Sequence, residues 1–332
     1  MKKLIVNLIL LLFIFFVSLI VILSTIGIKT TKFNSLISNK ASQANNITLE
    51  LEKIKFKLNL KELNLFLETN KPKIKYRGIY IPVKNLKVYI DFLSLLKSKP
   101  TIQKTNINLE ELDVAELNKL LVIIKPSNFR SLLKNKIKEG TLISEIDIFL
   151  DNQGFLENFI ARGSVKNLKA ELINNLIFTQ TNLSFFADKN DILMKNIFGN
   201  LADVKISDGD IQLNLENGIK LSSNFNSKFN LDEQKLDKYG KLFKKNNFSQ
   251  NLKSLKADLN NNLFLELDET YKLKDYSYDL SGKLEKGEFQ ISKSINNNFI
   301  NQEIKMIYLS NLEVKTIFSP KNIDFSGKGK YS

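Results

Sequence analysis

Apolar and polar side chains alternate residue by residue through most of this chain, a period that suits β-strands and not helices. In Ile54-Lys-Phe56-Lys-Leu58-Asn-Leu60 the apolar residues carry even numbers, whereas in the preceding Ile47-Thr-Leu49-Glu-Leu51 they carry odd ones. The slip at Glu52-Lys53 predicts a bulge or a change of strand. The pattern returns in Glu145-Ile-Asp-Ile-Phe-Leu150, Ile211-Gln-Leu213-Asn-Leu215, Ile219-Lys-Leu221, Leu263-Phe-Leu265-Glu-Leu267 and Leu312-Glu-Val314-Lys-Thr316. Turn signals separate these runs: Asp151-Asn-Gln-Gly154, Ser207-Asp-Gly-Asp210 and Asn217-Gly218, the last a strong hairpin signal. About fifteen strands in successive hairpins follow from this reading, not a βαβ chain.

Three short helices interrupt the strands. One is expected near 91–98, stopped before Pro100. A second stretch, 113–138, opens with Asp113 as N-cap and places Val114, Leu117, Leu120 and Leu121 on one face. Pro126 breaks it, Ser127 restarts it, and Gly140 is expected to end it. The third, 232–245, spaces Leu236, Tyr239 and Phe243 helically.

Ahead of the strands, residues 4–28 contain no charged side chain, from Leu4 to Ile28, and Lys2 and Lys3 precede them. As a helix the run would measure roughly 37 Å, enough to cross a hydrocarbon core of about 30 Å with some tilt. A cleaved secretory signal has a shorter apolar core, so a retained anchor is the expectation. Lys2, Lys3 and the amino terminus favour a cytoplasmic start, and long domains translocate largely regardless of charge. The predicted topology is single-pass in a bacterial inner membrane, with a polar tether over 29–46 and the body, 47–332, in the periplasm.

Chemistry is narrowly bounded. The chain has neither cysteine nor histidine, which removes thiolate and imidazole nucleophile systems and Cys- or His-ligated metals. No cofactor or metal motif is present, catalytic residues are none, and the chain is read as not an enzyme. The net charge of +14 invites nucleic acid, yet only Arg77, Arg130 and Arg162 are arginines among 49 basic residues. Arg is the residue that grips phosphate bidentately, so no nucleic-acid partner is expected. Asp208-Gly209-Asp210 lacks the glutamate that a calcium loop needs, because Ile219 stands at that position, and it reads as a hairpin turn. Gly327-Lys-Gly-Lys330 lacks the P-loop spacing and reads as a turn.

Each hairpin offers one apolar row that something must cover. A sheet can cover itself as a sandwich or barrel, or curl into a trough whose apolar floor holds acyl chains. Periodicity alone favours the self-covered sheet.

The order of features resembles the AsmA-like family of bacterial envelope proteins (AsmA, TamB, YhdP). The likeness rests on the lone N-terminal apolar run, the paired strands over 47–60 and Phe92-Leu-Ser-Leu-Leu-Lys-Ser-Lys-Pro100. It continues through Ile107-Asn-Leu109-Glu-Glu-Leu112-Asp. Lys138-Glu-Gly140-Thr-Leu-Ile, Asp151-Asn-Gln-Gly-Phe155 and Ala161-Arg-Gly163-Ser-Val-Lys-Asn-Leu168 are most similar to the YhdP branch. The resemblance covers most of 1–230 and reverses the preference for a closed core. It implies an elongated, curled antiparallel β-groove that carries membrane phospholipid between inner and outer membranes. The floor would be Ile146, Ile148, Leu150, Ile211, Leu213, Leu215, Ile219, Leu221, Leu263, Leu265 and Leu267. The alternative is a tethered assembly factor for the outer membrane, with a closed β-core and other envelope proteins as partners. At about 4.8 Å between strands, fifteen strands stack to about 70 Å, short for a bridge across an envelope. Phe325-Ser-Gly-Lys-Gly-Lys-Tyr-Ser332 reads as mid-hairpin, so the chain is expected either to be the N-terminal portion of a longer protein or to need partners to finish the bridge.

Overall fold

The structure, a computed structural model, describes residues 2–31, 34–43, 47–61, 64–90, 101–121, 134–151, 153–173, 176–242, 251–270, 272–297 and 300–331. The chain is mainly β with few helices. It divides into two compact units, residues 1–130 with 142–163, and residues 131–141 with 164–332.

The first unit opens with helix α1 (Lys2–Thr25), followed by β1 (Ile28–Thr30), α2 (Asn34–Gln43), β2 (Ile47–Glu50), β3 (Ile54–Asn59) and β4 (Asn64–Asn70). Next come β5 (Lys73–Tyr76), β6 (Ile79–Ile81), β7 (Val83–Ile90), β8 (Ile102–Leu109), β9 (Leu112–Asp113) and α3 (Val114–Leu121). The long strands β10 (Ile137–Leu150) and β11 (Leu156–Ile173) contribute to both units. The second unit continues with β12 (Leu176–Ala187), β13 (Asp191–Leu201), β14 (Val204–Asn214), β15 (Ile219–Asp232) and α4 (Glu233–Leu242). It ends with β16 (Leu252–Leu267), β17 (Leu273–Asn297), β18 (Ile300–Phe318) and β19 (Ile323–Tyr331). Among the described residues, one sheet of 16 strands runs in the order β1-β3-β4-β7-β8, then β10 to β19 consecutively, with β9 beside β10. A second sheet of three strands has the order β2-β5-β6. The slip at Glu52-Lys53 is thus a change of strand, and of sheet, from β2 to β3.

Alternation explains the core of the first unit. On β4, Leu65, Leu67 and Thr69 are buried; on β7, Val83, Leu86, Val88 and Ile90 are buried. Leu49 of β2, Ile74 of β5 and Ile37 of α2 join them in one cluster with Ile54, so the small sheet and α2 pack on this face. Helix α2 occupies most of the stretch read from sequence as a tether. Only Ile37 and Ala41 of its described side chains enter the core, too few to show as a periodic pattern. Ser38 Oγ donates to the Leu49 carbonyl (2.8 Å) and Asn34 Nδ2 to that of Leu51 (2.9 Å), fixing α2 beside β2.

Helix α1 ends at Thr25, short of Ile28, which pairs with Phe56 as part of the sheet. The backbone N–H groups of Ile26 and Gly27 both reach the Ile22 carbonyl, and Gly27 takes φ +74°. A Cβ there would lie 2.7 Å from Lys57 Cγ and 2.9 Å from the Phe56 carbonyl oxygen, so the helix-to-strand joint requires glycine.

Of the expected helices, 91–98 lies outside the described residues. The second begins as read, with the Glu116 N–H donating to Asp113 Oδ1 (2.8 Å) ahead of α3, but 122–133 are not described. Helical structure stops at Lys136, and Lys138 and Gly140 belong to β10, where Gly140 runs against the Leu168 backbone rather than capping a helix. The third is α4, capped by Asp232 Oδ1 accepting from the Lys235 N–H (3.0 Å), with 243–245 not described. Asn217 and Gly218 both take positive φ between β14 and β15, as their hairpin reading requires. Ser207-Asp-Gly-Asp210 is no turn: it lies inside β14, where Asp208 takes φ +52° at a bulge between Ser207 and Asp210. Gly327-Lys-Gly-Lys330 likewise lies within β19.

Candidate functional site

Cross-strand partners present their side chains on one face, so the register of the second unit assembles its apolar residues into rows. One row passes from Phe185 to Met194, Ile211, Ser223, Leu263, Tyr278, Phe318 and Ile323, crossing β12 to β19. The next passes from Ala187 to Ile192, Leu213, Leu221, Leu265 and Tyr276, and a third pairs Ile219 with Leu267 and Leu267 with Leu273. Ile211, Leu213, Leu221, Leu263, Leu265 and Leu267 are half-buried, and Ile323 is 70% exposed. Farther along the strands the same face holds the buried cluster Ala257, Leu259 and Leu284. At that end α4 lays Leu236 against Leu231 and Leu252. Tyr239 of α4 accepts from the Asp203 N–H (3.0 Å) and donates to the Leu201 carbonyl (3.4 Å).

The opposite face carries charge in pairs. Lys228 meets Asp258 (3.2 Å), Lys256 meets Glu285 (2.6 Å) and Lys274 meets Glu266 (2.8 Å). Hydrogen bonds from Lys274 and Lys256 hold the Glu266 and Glu285 carboxyls below the usual range. Such exposed pairs add little stability but keep this face wetted.

The eleven residues expected to form one floor therefore fall in two settings. Ile211, Leu213, Ile219, Leu221, Leu263, Leu265 and Leu267 share the apolar face of the second unit. Leu215 belongs to the same unit but lies beyond the end of β14, in the hairpin loop, and is exposed. Ile146, Ile148 and Leu150 are in the first unit, where Ile146 pairs with Ile107 and Ile148 with Thr105. Ile148 and Leu150 line a cavity of about 350 Å³ together with Ile37, Leu49 and Leu86.

Two features escaped sequence reasoning. Asn261, 2% exposed, sits in the middle of the apolar face, between Leu259 and Leu263 on β16. Its Nδ2 donates to the Phe225 carbonyl (3.1 Å) and Ser227 Oγ (2.9 Å), and its Oδ1 accepts from the Tyr278 hydroxyl (2.7 Å). Burial pushes the Tyr278 phenol up, and its ring stacks on Phe318 at 5.9 Å. The one available signal was an Asn260-Asn261-Asn262 run inside an otherwise alternating strand. The other feature is a charged network in the first unit. Asp147, 3% exposed, is met by Lys104 (3.4 Å), Arg162 (3.3 Å) and Asn106 Nδ2 (2.7 Å). Arg162 also holds Glu145 (3.0 Å), keeping that carboxyl below its usual range. Apart from Asn106 Oδ1, which is buried without a partner, its polar groups are spent on one another, which suits stability more than chemistry.

Among the described residues α1 is the one helix long and apolar enough to cross a membrane, over Leu4–Thr25, and none of its most apolar window is buried. Comparison of the chain with protein-family models, curated proteins and solved structures returned no match.

Proposed function

We propose that the chain is a membrane-anchored, non-enzymatic protein of AsmA-like type. In this reading it binds phospholipid acyl chains on the apolar face of β12 to β19 and contributes to lipid transport between inner and outer membranes. The observation that carries the reading is the ladder itself. One row crosses eight strands and the next crosses six; where the hypothesised contacts lie on β14 to β16 they are apolar but for Ser223 and half-buried, while the reverse face is ion-paired. A monomeric soluble protein rarely leaves a large contiguous apolar patch without a partner for it. The apolar α1 supports a place beside a lipid reservoir, with the N-terminus cytoplasmic and the body periplasmic. The mechanism is passive: burial at ~0.8 kcal/mol per CH₂ holds the chains while headgroups stay in water.

A photo-crosslinking residue placed in the full-length chain at Leu213, Leu221 or Leu265, and on the reverse face at Gln212, Ser222 or Glu266, tests this in cells. Phospholipid adducts are expected from the first set and not the second. Adducts from neither set, or equally from both, overturn the reading.

The second reading, a tethered assembly factor with a closed β-core, is favoured by one observation, the covered cluster around Ile54, Leu67 and Val83 in the first unit. Protein adducts in place of lipid at Leu213, Leu221 and Leu265 would select it.

A further inference from the structure

The cavity in the first unit is built differently from the open ladder. Of its sixteen described lining residues eleven are aliphatic, supplied by α2, β2, β5, β7, β8 and β10. Its volume, about 350 Å³, is more than twice the ~150 Å³ of apolar space that suffices to hold benzene. By that ratio it accommodates on the order of a dozen carbons. The lining changes character at one side, where Asp151, Gln153 and Gly154 of the turn after β10 contribute, with Thr101 and Thr105 nearby. The turn uses one carboxylate oxygen of Asp151: Oδ1 accepts from the N–H groups of Gln153 (2.9 Å) and Phe155 (2.8 Å). Among the described residues the second oxygen has no partner. A carboxylate with a spare oxygen at the polar side of an apolar cavity favours a ligand that brings a donor and disfavours one that brings an anion.

We propose that this cavity is a binding site for one alkyl chain whose polar end is a hydrogen-bond donor, a hydroxyl or an amine, with the chain between α2 and β10 and the donor on Asp151. The inference deepens the acyl-chain reading above: it adds a site for a single chain and assigns it a headgroup preference. The site is walled by α2 and the small sheet as well as by β7, β8 and β10, so it selects by length as well as by polarity. Ala41 of α2 faces the cavity and Ile148 lines it from β10, so a larger side chain at 41 competes directly with the ligand.

The test uses the full chain in nanodiscs and diazirine-bearing dodecyl probes ending in a glycerol, an amine or a carboxylate, with adducts mapped by peptide mass spectrometry. Saturable adducts on the peptides holding Leu86 and Ile148 are expected from the glycerol and amine probes, at least tenfold over the carboxylate probe. Ala41→Trp should abolish them; Ala41→Leu, a smaller intrusion, should weaken them severalfold and covers the case in which the tryptophan variant does not fold. Asp151→Asn, which keeps the turn acceptor, should bring the amine probe down to the level of the glycerol probe. Adducts confined to the 211–213, 219–221 and 263–267 peptides would overturn the cavity site and leave the ladder reading standing. No adduct on either set sinks both, and equal labelling by the carboxylate probe overturns the headgroup preference.

Discussion

Leu67→Asp and Leu213→Asp place the same charge on two apolar rows, and the structure assigns them different fates. Leu67 is 2% exposed within the cluster roofed by β2, β5 and α2. An unpaired carboxylate there costs about 3–5 kcal/mol, and losing the leucine a further 1.5–3 kcal/mol. The total, roughly 5–8 kcal/mol, reaches the 5–15 kcal/mol by which whole domains are stable. Leu213 is half-buried between Ile192 and Leu221. Half a leucine transfer, about 1 kcal/mol, is lost there, and the carboxylate reaches water at the face. For a unit of this size 1 kcal/mol shifts the melting temperature by about 2–4 °C. Limited proteolysis with peptide mass spectrometry, run on full-length chains in one membrane mimetic across temperature, reads the two units separately. Leu67→Asp should abolish protection of the first unit's peptides; Leu213→Asp should leave the second unit folded with a midpoint lowered by a few degrees. If Leu213→Asp removes protection of β13 to β16 as completely as Leu67→Asp removes that of β3 to β7, the ladder is a covered core. The distinction drawn between the two faces then fails.

Other outcomes follow from single contacts. Gly27→Ala forces a Cβ onto Lys57 and Phe56 at a φ that costs L-residues about 1–2 kcal/mol, so amide exchange of β1 should rise while β7 and β8 stay protected. Unchanged exchange in β1 would refute the rigid joint. Glu145 is held below its usual range by the Arg162 hydrogen bond. Glu68 is too: burial raises it, and the hydrogen bond and charge of Lys57, with Asn85, outweigh that. A depressed folded pKa contributes stability above the unfolded value, about 4.3 for Glu, and loses it as pH falls through the folded value. The first unit should therefore destabilise on acidification below about pH 4.3, and Arg162→Gln should flatten that dependence in pH-resolved melting. A slope unaffected by the substitution would refute the assignment.

The sequence was most legible where one local rule sufficed. Alternation located the paired rows of β14, β15 and β16, and Asn217-Gly218 located the hairpin between the first two. It failed where two structures want the same residues. Asp208 and Gly209 tolerate positive φ in a turn and in a bulge alike, and only the pairing of their neighbours Ser207 with Asn226 and Asp210 with Asn224 on β15 distinguishes the two. It failed too where the deciding contact is distant in sequence. Among its described side chains helix α2 sends two apolar ones, Ile37 and Ala41, into the core, and the carbonyls of Leu49 and Leu51 that accept its hydrogen bonds lie farther along the chain. The candidate site was divided for the same reason. Ile146, Ile148 and Leu150 alternate as Ile211 and Leu213 do, but β2, β5 and α2 return over the first unit, and alternation holds no record of what returns.

Two residues, Ile26 and Gly27, separate α1 from β1. At no more than about 3.6 Å per residue, such a joint has almost no reach. With α1 in a bilayer, the first strand pair sits at headgroup depth, where Lys29 and Lys55 face each other directly and Glu68, opposite Lys55 on β4, is ion-paired with Lys57. Two opposed cations at a sheet edge repel unless anions lie between them, and a phosphate-rich interface supplies those anions. The first unit is thus stationed rather than leashed. It cannot sweep a volume in search of a partner as a body on a flexible linker does. With the unit so anchored, a lipid exchanged as proposed above would have to be delivered by lateral diffusion in the membrane or approach the fixed sheet from outside.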